Sequence, residues 1–331
     1  MHPELKMLHL QLSRKCNLRC RFCGQHHTDP EGAMSLPDWI DVLKQLREYA
    51  RGATVVLWGG EPLAYPHFRE VAQFSAQQGF PLEIITNGTM ISCHADLLRT
   101  LFKTVYISVD GPEKVHDAIR GRCVFAKVKA GLEILKGGNA ELVMMSVLAP
   151  ENMESFETLP FGLPVDRVIL HEMIYLTDAE CRKLSPAAAE KWHGNADPDY
   201  PERLHKTIED LKRHEYPIPV EFQPHFEAGN CLEPYRHLHI GSDGETSFCT
   251  DFTHYTLGNV RNHTLRGIFE GEKAEQFRRN GNNPFCSHCS WKNTEESIIK
   301  FKVSAKIKTM ERRGPAGILS SRKTQIGVSE I

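Results

Sequence analysis

The stretch Cys16-Asn17-Leu18-Arg19-Cys20-Arg21-Phe22-Cys23 places three thiols close together on one short segment. It follows directly on residues 7–12, an alternating apolar run that predicts a strand. Thiolates ligate iron–sulfur clusters and zinc, and cysteines at this spacing can turn their sulfurs onto one metal centre from a single loop. A four-iron cubane held by three cysteines keeps one iron free for a non-protein ligand, whereas a closed zinc site needs a fourth protein ligand from elsewhere. The stretch therefore predicts a soft-metal centre just after the first strand.

Length and composition set the class of protein. The 331 residues are 40% hydrophobic and 25% charged, with a formal net charge of −2, as expected of one large globular domain with or without an appendage. No run of about eighteen apolar residues occurs, and residues 1–6 lack the apolar core of a secretory signal, so no membrane span is expected. Ten cysteines then indicate metal ligation in a reducing cytoplasm and not a disulfide scaffold. We expect a cytoplasmic protein without a nucleic-acid partner.

Strands and helices alternate along the first half of the chain. We predict strands at 6–13, 54–58, 82–85, 104–109, 141–148 and 165–170, and helices from near Ser35, at 66–78, at 91–102 and at 124–136. Strands that alternate with helices pair in parallel, and six of them are too few to close the usual eight-stranded barrel. The prolines of residues 217–224 predict an extended linker that leaves this unit.

Two further motifs follow predicted strands. Gly59-Gly60-Glu61-Pro62 follows the second strand, where glycines let the backbone approach a ligand and a carboxylate suits an ammonium group. Taken alone, it fits a plain turn between a strand and a helix equally well. Ser108-Val109-Asp110-Gly111-Pro112, with His116-Asp117 and Arg120 behind it, follows the fourth strand. The forked donors of an arginine suit a carboxylate ligand, although a strand-end turn and a surface salt bridge would also account for this block.

The C-x3-C-x2-C run resembles the cluster motif of the radical S-adenosylmethionine (SAM) enzymes. In that family the open iron is chelated by the methionine moiety of SAM. One electron, from a reductant such as flavodoxin or ferredoxin, then cleaves SAM to methionine and a 5′-deoxyadenosyl radical, which abstracts a hydrogen atom from the substrate. The resemblance also implies an α/β fold, a partial (β/α)6 TIM-like barrel that stays open and binds its ligands at the carboxyl ends of the strands.

The same resemblance assigns cofactor contacts residue by residue. Phe22 packs against adenine, the Gly59–Pro62 motif meets the amino group of SAM, Ser108 meets the ribose and Arg120 meets the carboxylate. The implied metal ligands are Cys16, Cys20 and Cys23, and the implied SAM-binding residues are Phe22, Gly59, Gly60, Glu61, Pro62, Ser108, Asp110 and Arg120. The S-x-D-G-P…H-D…R block looks like that of the peptide- and sulfatase-maturing branch of the family.

A second set of cysteines comprises Cys231, Cys249, Cys286 and Cys289. Residues 237–248 predict a β-hairpin around a Gly241–Gly244 turn, and residues 264–280 a helical segment. The arrangement resembles the twitch domain, a shortened SPASM domain that binds an auxiliary [4Fe–4S] cluster. No cysteine follows Cys289, so we expect one auxiliary cluster, closed by four thiolates and suited to electron transfer or structure. The spacing alone fits a four-cysteine zinc site equally well.

The expected domains are a barrel with a helical extension (1–224), the twitch-type domain (225–298), and a basic helix with a disordered tail (299–331). The last segment holds eight Lys or Arg and two Glu from residue 300 onward. Cys93, Cys123 and Cys181 lie outside both cysteine sets. Cys123, three residues after Arg120, is a hypothetical hydrogen donor to a substrate radical, although lone cysteines are commonly inert and buried.

Three functions remain open at the level of sequence. The first, favoured by the Ser108–Arg120 block and the auxiliary domain, is radical modification of a peptide or protein, of the RiPP or maturase kind. The second is a small-molecule dehydrogenase or epimerase acting on an aminocyclitol, a sugar or another natural-product intermediate. It is favoured by the short auxiliary domain and by a barrel that starts at once, without a preceding peptide-recognition module. The third is a metal-binding protein without catalysis, which the SAM-contact residues disfavour.

Overall fold

One sheet runs through the whole of the computed structural model, which describes residues 2–23, 29–172, 199–223, 233–250, 255–280 and 299–300. Its strands are β1 (Met7–Gln11), β2 (Thr54–Trp58), β3 (Leu82–Thr86), β4 (Phe102–Ser108), β5 (Glu141–Leu148), β6 (Arg167–Glu172), β7 (Val220–Gln223), β8 (His237–Ile240), β9 (Glu245–Ser247), β10 (Gly258–Asn259) and β11 (Ile299–Lys300). Strands β1 to β7 lie side by side in chain order, and each pairs in parallel with the next. This is the mixed α/β architecture with a parallel sheet that the alternation predicted.

Helices in the described ranges lie between successive strands along the chain. They are α1 (Leu36–Tyr49), α2 (Phe68–Gln77), α3 (Ala95–Thr100), α4 (Glu113–Arg120), α5 (Val124–Leu135), α6 (Tyr200–Leu211), α7 (Glu233–Arg236), α8 (Leu265–Phe269) and α9 (Glu272–Asn280). Helix α1 begins at a capping box, in which the Ser35 hydroxyl accepts from Asp38 N and the Asp38 carboxylate accepts from Ser35 N. Its buried side chains lie on one stripe that faces the sheet.

The two faces of the sheet differ in character because side chains alternate along each strand. Leu8 and Leu10 of β1 have no exposed surface and join the hydrophobic core with the buried stripe of α1. The opposite face carries His9 on β1, Trp58 on β2 and Tyr106 on β4. In an open barrel of this kind the helices form the outer layer on the first face, and the second face lines the interior.

Three sequence-based expectations need correction. Residues 220–223 are strand β7 and not part of a linker, since Val220 and Phe222 are fully buried and the strand pairs with β6. The predicted helix 91–102 is a short 3-10 turn followed by α3, and β4 already begins at Phe102. The helical segment 264–280 is two helices, α8 and α9. Between them a Cβ on Gly271 would lie 2.3 Å from the carbonyl oxygen of Gly267.

The predicted hairpin near the second cysteine set is present and belongs to the same sheet. Strands β8 and β9 are antiparallel, and the turn closes with a hydrogen bond from Gly241 N to Glu245 O at 2.8 Å. Strand β8 pairs in parallel with β1, so the hairpin extends the edge where the barrel starts. No helix in the described ranges has the length and apolarity needed to cross a membrane.

Candidate cofactor site

The motifs singled out in the sequence meet at the carboxyl ends of β1, β2, β3 and β4. The cysteine loop follows β1, the Gly59–Pro62 motif follows β2, and the Ser108–Arg120 block follows β4. In βα architectures this edge carries the functional site, because the connecting loops cluster there. The fold therefore brings together the residues that the sequence placed apart.

The cysteine loop is fastened at its base by Asp29. Both carboxylate oxygens of Asp29 accept from the Ser13 hydroxyl at 2.9 Å, and one accepts from Arg14 N at 2.6 Å. The loop departs after Ser13 and is tied back at Asp29, while residues 24–28 lie outside the described ranges. Asp29 was not singled out in the sequence, because a lone acidic residue after a cysteine motif carries no recognisable signal.

The glycines of the Gly59–Pro62 motif let the cysteine loop cross the end of β2. Gly60 N donates to Ser13 O at 2.8 Å and Glu61 N donates to Lys15 O at 2.9 Å. A Cβ on Gly60 would lie 2.1 Å from the Lys15 carbonyl oxygen, so any side chain there would push the loop away. Gly59 has a φ of 141° and is equally confined by Ser13. Both glycines thus serve the approach of one backbone segment to another.

Glu61 is buried and bound to the start of the β3 loop. Its carboxylate accepts from Thr86 Oγ1 at 2.6 Å, from Asn87 N at 2.7 Å and from Leu63 N at 3.1 Å. Burial raises the pKa of Glu61 to about 7, although these hydrogen bonds and the positive charge of Arg120 act in the opposite direction. These contacts are with the chain itself, and the assignment of Glu61 to the SAM amino group stays a prediction.

Asn87 joins the β3 loop to the first cysteine. Its Nδ2 lies 3.7 Å from Cys16 Sγ and donates to Asn17 Oδ1 at 2.8 Å. Its Oδ1 accepts from Thr89 N at 3.0 Å and from Thr89 Oγ1 at 2.6 Å. Burial raises the pKa of the Cys16 thiol. The sequence analysis did not single out Asn87, and the available signal was a polar Asn-Gly pair directly after the predicted strand 82–85.

Arg120 contacts the second cysteine from the end of α4. Its Nε donates to Asp110 Oδ2 at 2.5 Å, and its Nη1 lies 3.9 Å from Cys20 Sγ. The side chains of Arg120 and Asp110 are 11% and 0% exposed, so this is a buried ion pair and not a surface one. Burial raises the pKa of Cys20 to about 11, although the charge of Arg120 acts to lower it. Arg21 N also donates to Ile119 O at 3.1 Å, which fixes the loop against α4.

The His-Asp pair of the same block shapes the turn around Asp110. His116 Nδ1 accepts from Asp110 N at 3.2 Å, and burial lowers the pKa of His116 to about 4, which keeps the ring neutral. The Asp117 carboxylate accepts from Cys123 N at 2.6 Å and from Phe125 N at 2.8 Å, and so caps the start of α5. Cys123 itself is exposed and has a φ of 61°. Its role as a hydrogen donor stays a prediction.

The remaining site residues lie at the same end or outside the described ranges. Ser108 is the last residue of β4, Phe22 is half-buried, and Cys23 is exposed on the loop. Of the second cysteine set the structure describes Cys249, whose carbonyl accepts from Ser247 Oγ at 2.7 Å. Cys231, Cys286 and Cys289 lie outside the described residues, as does Cys181.

The donor set of the first loop fits an iron–sulfur cluster. Across the described ranges no three His, Cys, Asp or Glu side chains are gathered as they would be around a single ion. Three thiols carried by one loop, with donors of other elements near two of their sulfurs, are a ligand set that an iron–sulfur cluster takes. The loop supplies three thiols and therefore suits a cubane with one open iron.

Comparisons with known proteins agree with this geometry. Residues 10–159 match the family model of the Radical SAM superfamily, and residues 231–290 match SPASM, an iron–sulfur cluster-binding domain. The chain is 24% identical to the tungsten-containing aldehyde ferredoxin oxidoreductase cofactor-modifying protein of Pyrococcus furiosus, over 86% of this chain and 87% of that protein. It is also 24% identical to the subtilosin biosynthesis protein AlbA of Bacillus subtilis, over 84% of this chain and 62% of that protein.

Among solved structures, the fold is similar to that of SuiB of Streptococcus suis bound to its precursor peptide SuiA. The TM-score is 0.63 at 16% identity, and the alignment covers 87% of this chain and 71% of SuiB. At this identity the likeness concerns the fold.

Proposed function

Because this chain belongs to the radical SAM superfamily and carries a SPASM-type iron–sulfur domain, we propose that it abstracts a hydrogen atom from a peptide or protein substrate. The chain is an enzyme, and its cofactors are SAM, a SAM-binding [4Fe–4S] cluster and auxiliary iron–sulfur. The iron–sulfur interpretation of the sequence is thereby confirmed over zinc. When bound and reduced, the first cluster supplies the electron that releases the 5′-deoxyadenosyl radical from SAM.

The chain contributes ligands, orientation and a fixed charge. In the proposal Cys16, Cys20 and Cys23 hold the first cluster, on a loop fastened by Asp29 and seated on Gly59 and Gly60. Arg120, whose Nε is taken by Asp110, offers its Nη groups to the SAM carboxylate. Phe22 is assigned to adenine, Ser108 to the ribose, and Glu61 with Pro62 to the side of the amino group. The ligands proposed for the auxiliary cluster are Cys231, Cys249, Cys286 and Cys289.

The assembly of the Ser108–Arg120 block supports a peptide or protein substrate. Its sequence resembles the peptide- and sulfatase-maturing branch, and in the structure its Asp110 and Arg120 form a buried pair beside Cys20. AlbA, a relative over most of this chain, is named for the biosynthesis of the bacteriocin subtilosin. The partners in this proposal are a peptide or protein and a small reductant protein such as flavodoxin or ferredoxin.

A small-molecule substrate is the second candidate. The Pyrococcus furiosus relative, which aligns over most of both chains, is named for modifying a cofactor. In that case the barrel interior would hold a metal cofactor, an aminocyclitol, a sugar or another natural-product intermediate in place of a peptide side chain. The chemistry proposed for Cys16, Cys20, Cys23 and Arg120 is the same in both cases.

Anaerobic assays separate these candidates. We expect about eight irons per chain after reconstitution and loss of one cluster and of all SAM cleavage when Cys16, Cys20 and Cys23 are changed to Ala. Incubation with SAM, reductant and candidate peptides or small molecules, followed by mass spectrometry, identifies the substrate class. Transfer of deuterium from a labelled peptide into 5′-deoxyadenosine would support the peptide proposal. Transfer from a small molecule, with none from any peptide, would contradict it, and tightly bound zinc with little iron would contradict the cluster assignment.

A further inference from the structure

Two buried carboxylates, Glu61 and Asp110, each hold a residue whose side chain faces one cysteine sulfur. Glu61 holds the backbone of Asn87, whose amide lies against Cys16, and Asp110 holds the guanidinium of Arg120, which lies against Cys20. We propose that Asn87 and Arg120 donate hydrogen bonds to the thiolates of the first cluster and raise its reduction potential. This inference rests on the proposed assignment of Cys16 and Cys20 as cluster ligands.

The orientation of the Asn87 amide follows from its other partners. Thr89 N can only donate, so the Asn87 atom 3.0 Å from it is the oxygen Oδ1. The nitrogen Nδ2 must then face the other way, toward Cys16 Sγ at 3.7 Å and Asn17 Oδ1 at 2.8 Å. Asn87 is 6% exposed, and Glu61 fixes its backbone, so the amide is held in this direction.

The orientation of Arg120 is fixed by Asp110. Asp110 is fully buried, accepts from Arg120 Nε and also accepts from Val147 N at 3.3 Å. Because the guanidinium is planar, this contact sets the direction of Nη1, which lies 3.9 Å from Cys20 Sγ. Asp110 is therefore a positioning residue, and Arg120 brings both a donor and a positive charge to the sulfur.

Donors at cluster sulfurs favour the reduced state. Reduction adds negative charge to the cluster and its thiolates, and hydrogen bonds to the sulfurs, together with nearby charge, set the potential. A less negative potential makes the cluster easier to reduce by a small electron-transfer protein. Both donors come from outside the cysteine loop, so they can be removed without touching a ligand.

The test is a potentiometric titration of both clusters in the absence of SAM, in which electron paramagnetic resonance measures the reduced fraction of each cluster. Omitting SAM separates the contact with Cys20 from any contact of Arg120 with the SAM carboxylate. The variants are Asn87→Ala, Asn87→Asp, Arg120→Lys and Arg120→Gln, with Arg69→Gln as a control in an exposed ion pair. Asn87→Asp keeps the acceptor for Thr89 but replaces the donor with a negative oxygen. The auxiliary cluster serves as an internal reference in every sample.

We expect the first cluster to become harder to reduce in Asn87→Ala and harder still in Asn87→Asp. At a fixed potential the ratio of reduced to oxidised cluster should fall about tenfold in Arg120→Gln, which corresponds to about 59 mV for one electron. Arg120→Lys should recover part of this shift, and the auxiliary cluster and Arg69→Gln should show none. If Arg120→Gln fails to fold because Asp110 is left unpaired, the double variant with Asp110→Asn replaces it.

Unchanged first-cluster potentials in folded variants with full iron content would overturn the inference, as would an equal shift of both clusters. A wild-type protein without a first cluster would instead refute the proposed function, so the two failures are distinguishable by iron content.

Discussion

Single residues at the carboxyl ends of the strands do more than their motifs indicate. The glycines of the Gly59–Pro62 motif accommodate the cysteine loop, and Glu61 fastens the neighbouring β3 loop. Each residue therefore supports the position of the thiols as well as any ligand it contacts. Substitutions here should affect cluster binding through geometry, even where no ligand atom is touched.

Gly60→Ala tests the close approach of the cysteine loop. The new Cβ would lie 2.1 Å from Lys15 O, so the loop must shift and the first cluster should be lost or bound weakly. We expect SAM cleavage to fall by at least tenfold, as measured by chromatography of 5′-deoxyadenosine. Gly52→Ala, where the Cβ meets nothing within 4 Å, is the matched control and should behave as wild type. Normal SAM cleavage by Gly60→Ala would mean that the loop does not need this approach.

Glu61 should make stability depend on pH. Its pKa is raised from 4.5 to about 7 in the folded protein, so between these values the native state holds a proton that the unfolded chain releases. The contribution of Glu61 to the free energy of unfolding is therefore fully present below about pH 4.5. It decreases by about 3 kcal/mol as the pH rises to about 7. Glu61→Gln should remove this decrease, even if its stability is lower at every pH.

Unfolding midpoints from circular dichroism at several pH values between these limits would measure this effect under anaerobic conditions. Glu151→Gln, at an exposed position, is the control and should keep the wild-type pH dependence. Parallel curves for Glu61→Gln and wild type would contradict the raised pKa.

At the scale of elements, the hairpin turn between β8 and β9 braces both ends of the cysteine loop. Asp243 pairs with Arg14 at 2.6 Å, where the loop starts, and Ser242 O accepts from Met34 N at 2.7 Å, where it ends. Arg261 adds a hydrogen bond to Gly32 O at 2.7 Å. The hairpin turn lies near the second cysteine set in the sequence, but in the structure it contacts the loop that carries the first set.

Asp243→Ala should loosen the cysteine loop. The ion pair with Arg14 is partly exposed, and its loss should cost about 1 kcal/mol, or roughly fivefold in the rate of iron release from the first cluster. Release to a chelator, with the paramagnetic signals of the two clusters followed separately, measures this rate. Asp210→Ala, which breaks an exposed pair with Arg213, should leave it unchanged. Equal release from all three proteins would mean that the turn does not brace the loop.

Strands and helices were predictable from the sequence where burial of one face gives the apolar residues a regular spacing. The alternation of Leu8 and Leu10 with His9 placed β1, and the Ser35 cap placed α1, because each signal is local. Strand β7 was missed because flanking prolines suggested a linker, whereas its pairing with β6 is a long-range contact. Motif spacing placed the cysteines and Arg120 at one end of the barrel. The contacts of Asn87 with Cys16 and of Asp110 with Arg120 depend on strand register, which spacing does not encode.

For the whole molecule, the two clusters should have separable roles. In the proposal, SAM cleavage needs an electron at the first cluster only, whereas the auxiliary cluster would act later, on the substrate radical or at the substrate pocket. Cys286→Ala with Cys289→Ala should therefore still yield 5′-deoxyadenosine with dithionite, while product formation collapses. Since the lost metal also stabilises its domain, circular dichroism must first show a folded variant. Full product turnover, or no SAM cleavage at all, by that folded variant would each contradict this division.

The pairing of β8 with β1 also determines when, during synthesis of the chain, the cysteine loop can reach its final structure. Strand β1 is synthesised well before its second neighbour β8, which lies about 230 residues downstream. At usual translation rates the edge of β1 stays unpaired for on the order of ten seconds or more, open to pairing with other chains. Arg14 likewise has no Asp243 to bind until then. The cell therefore meets a fully braced cysteine loop only after the hairpin turn that carries Asp243 has been made, and the cluster is best inserted after that point.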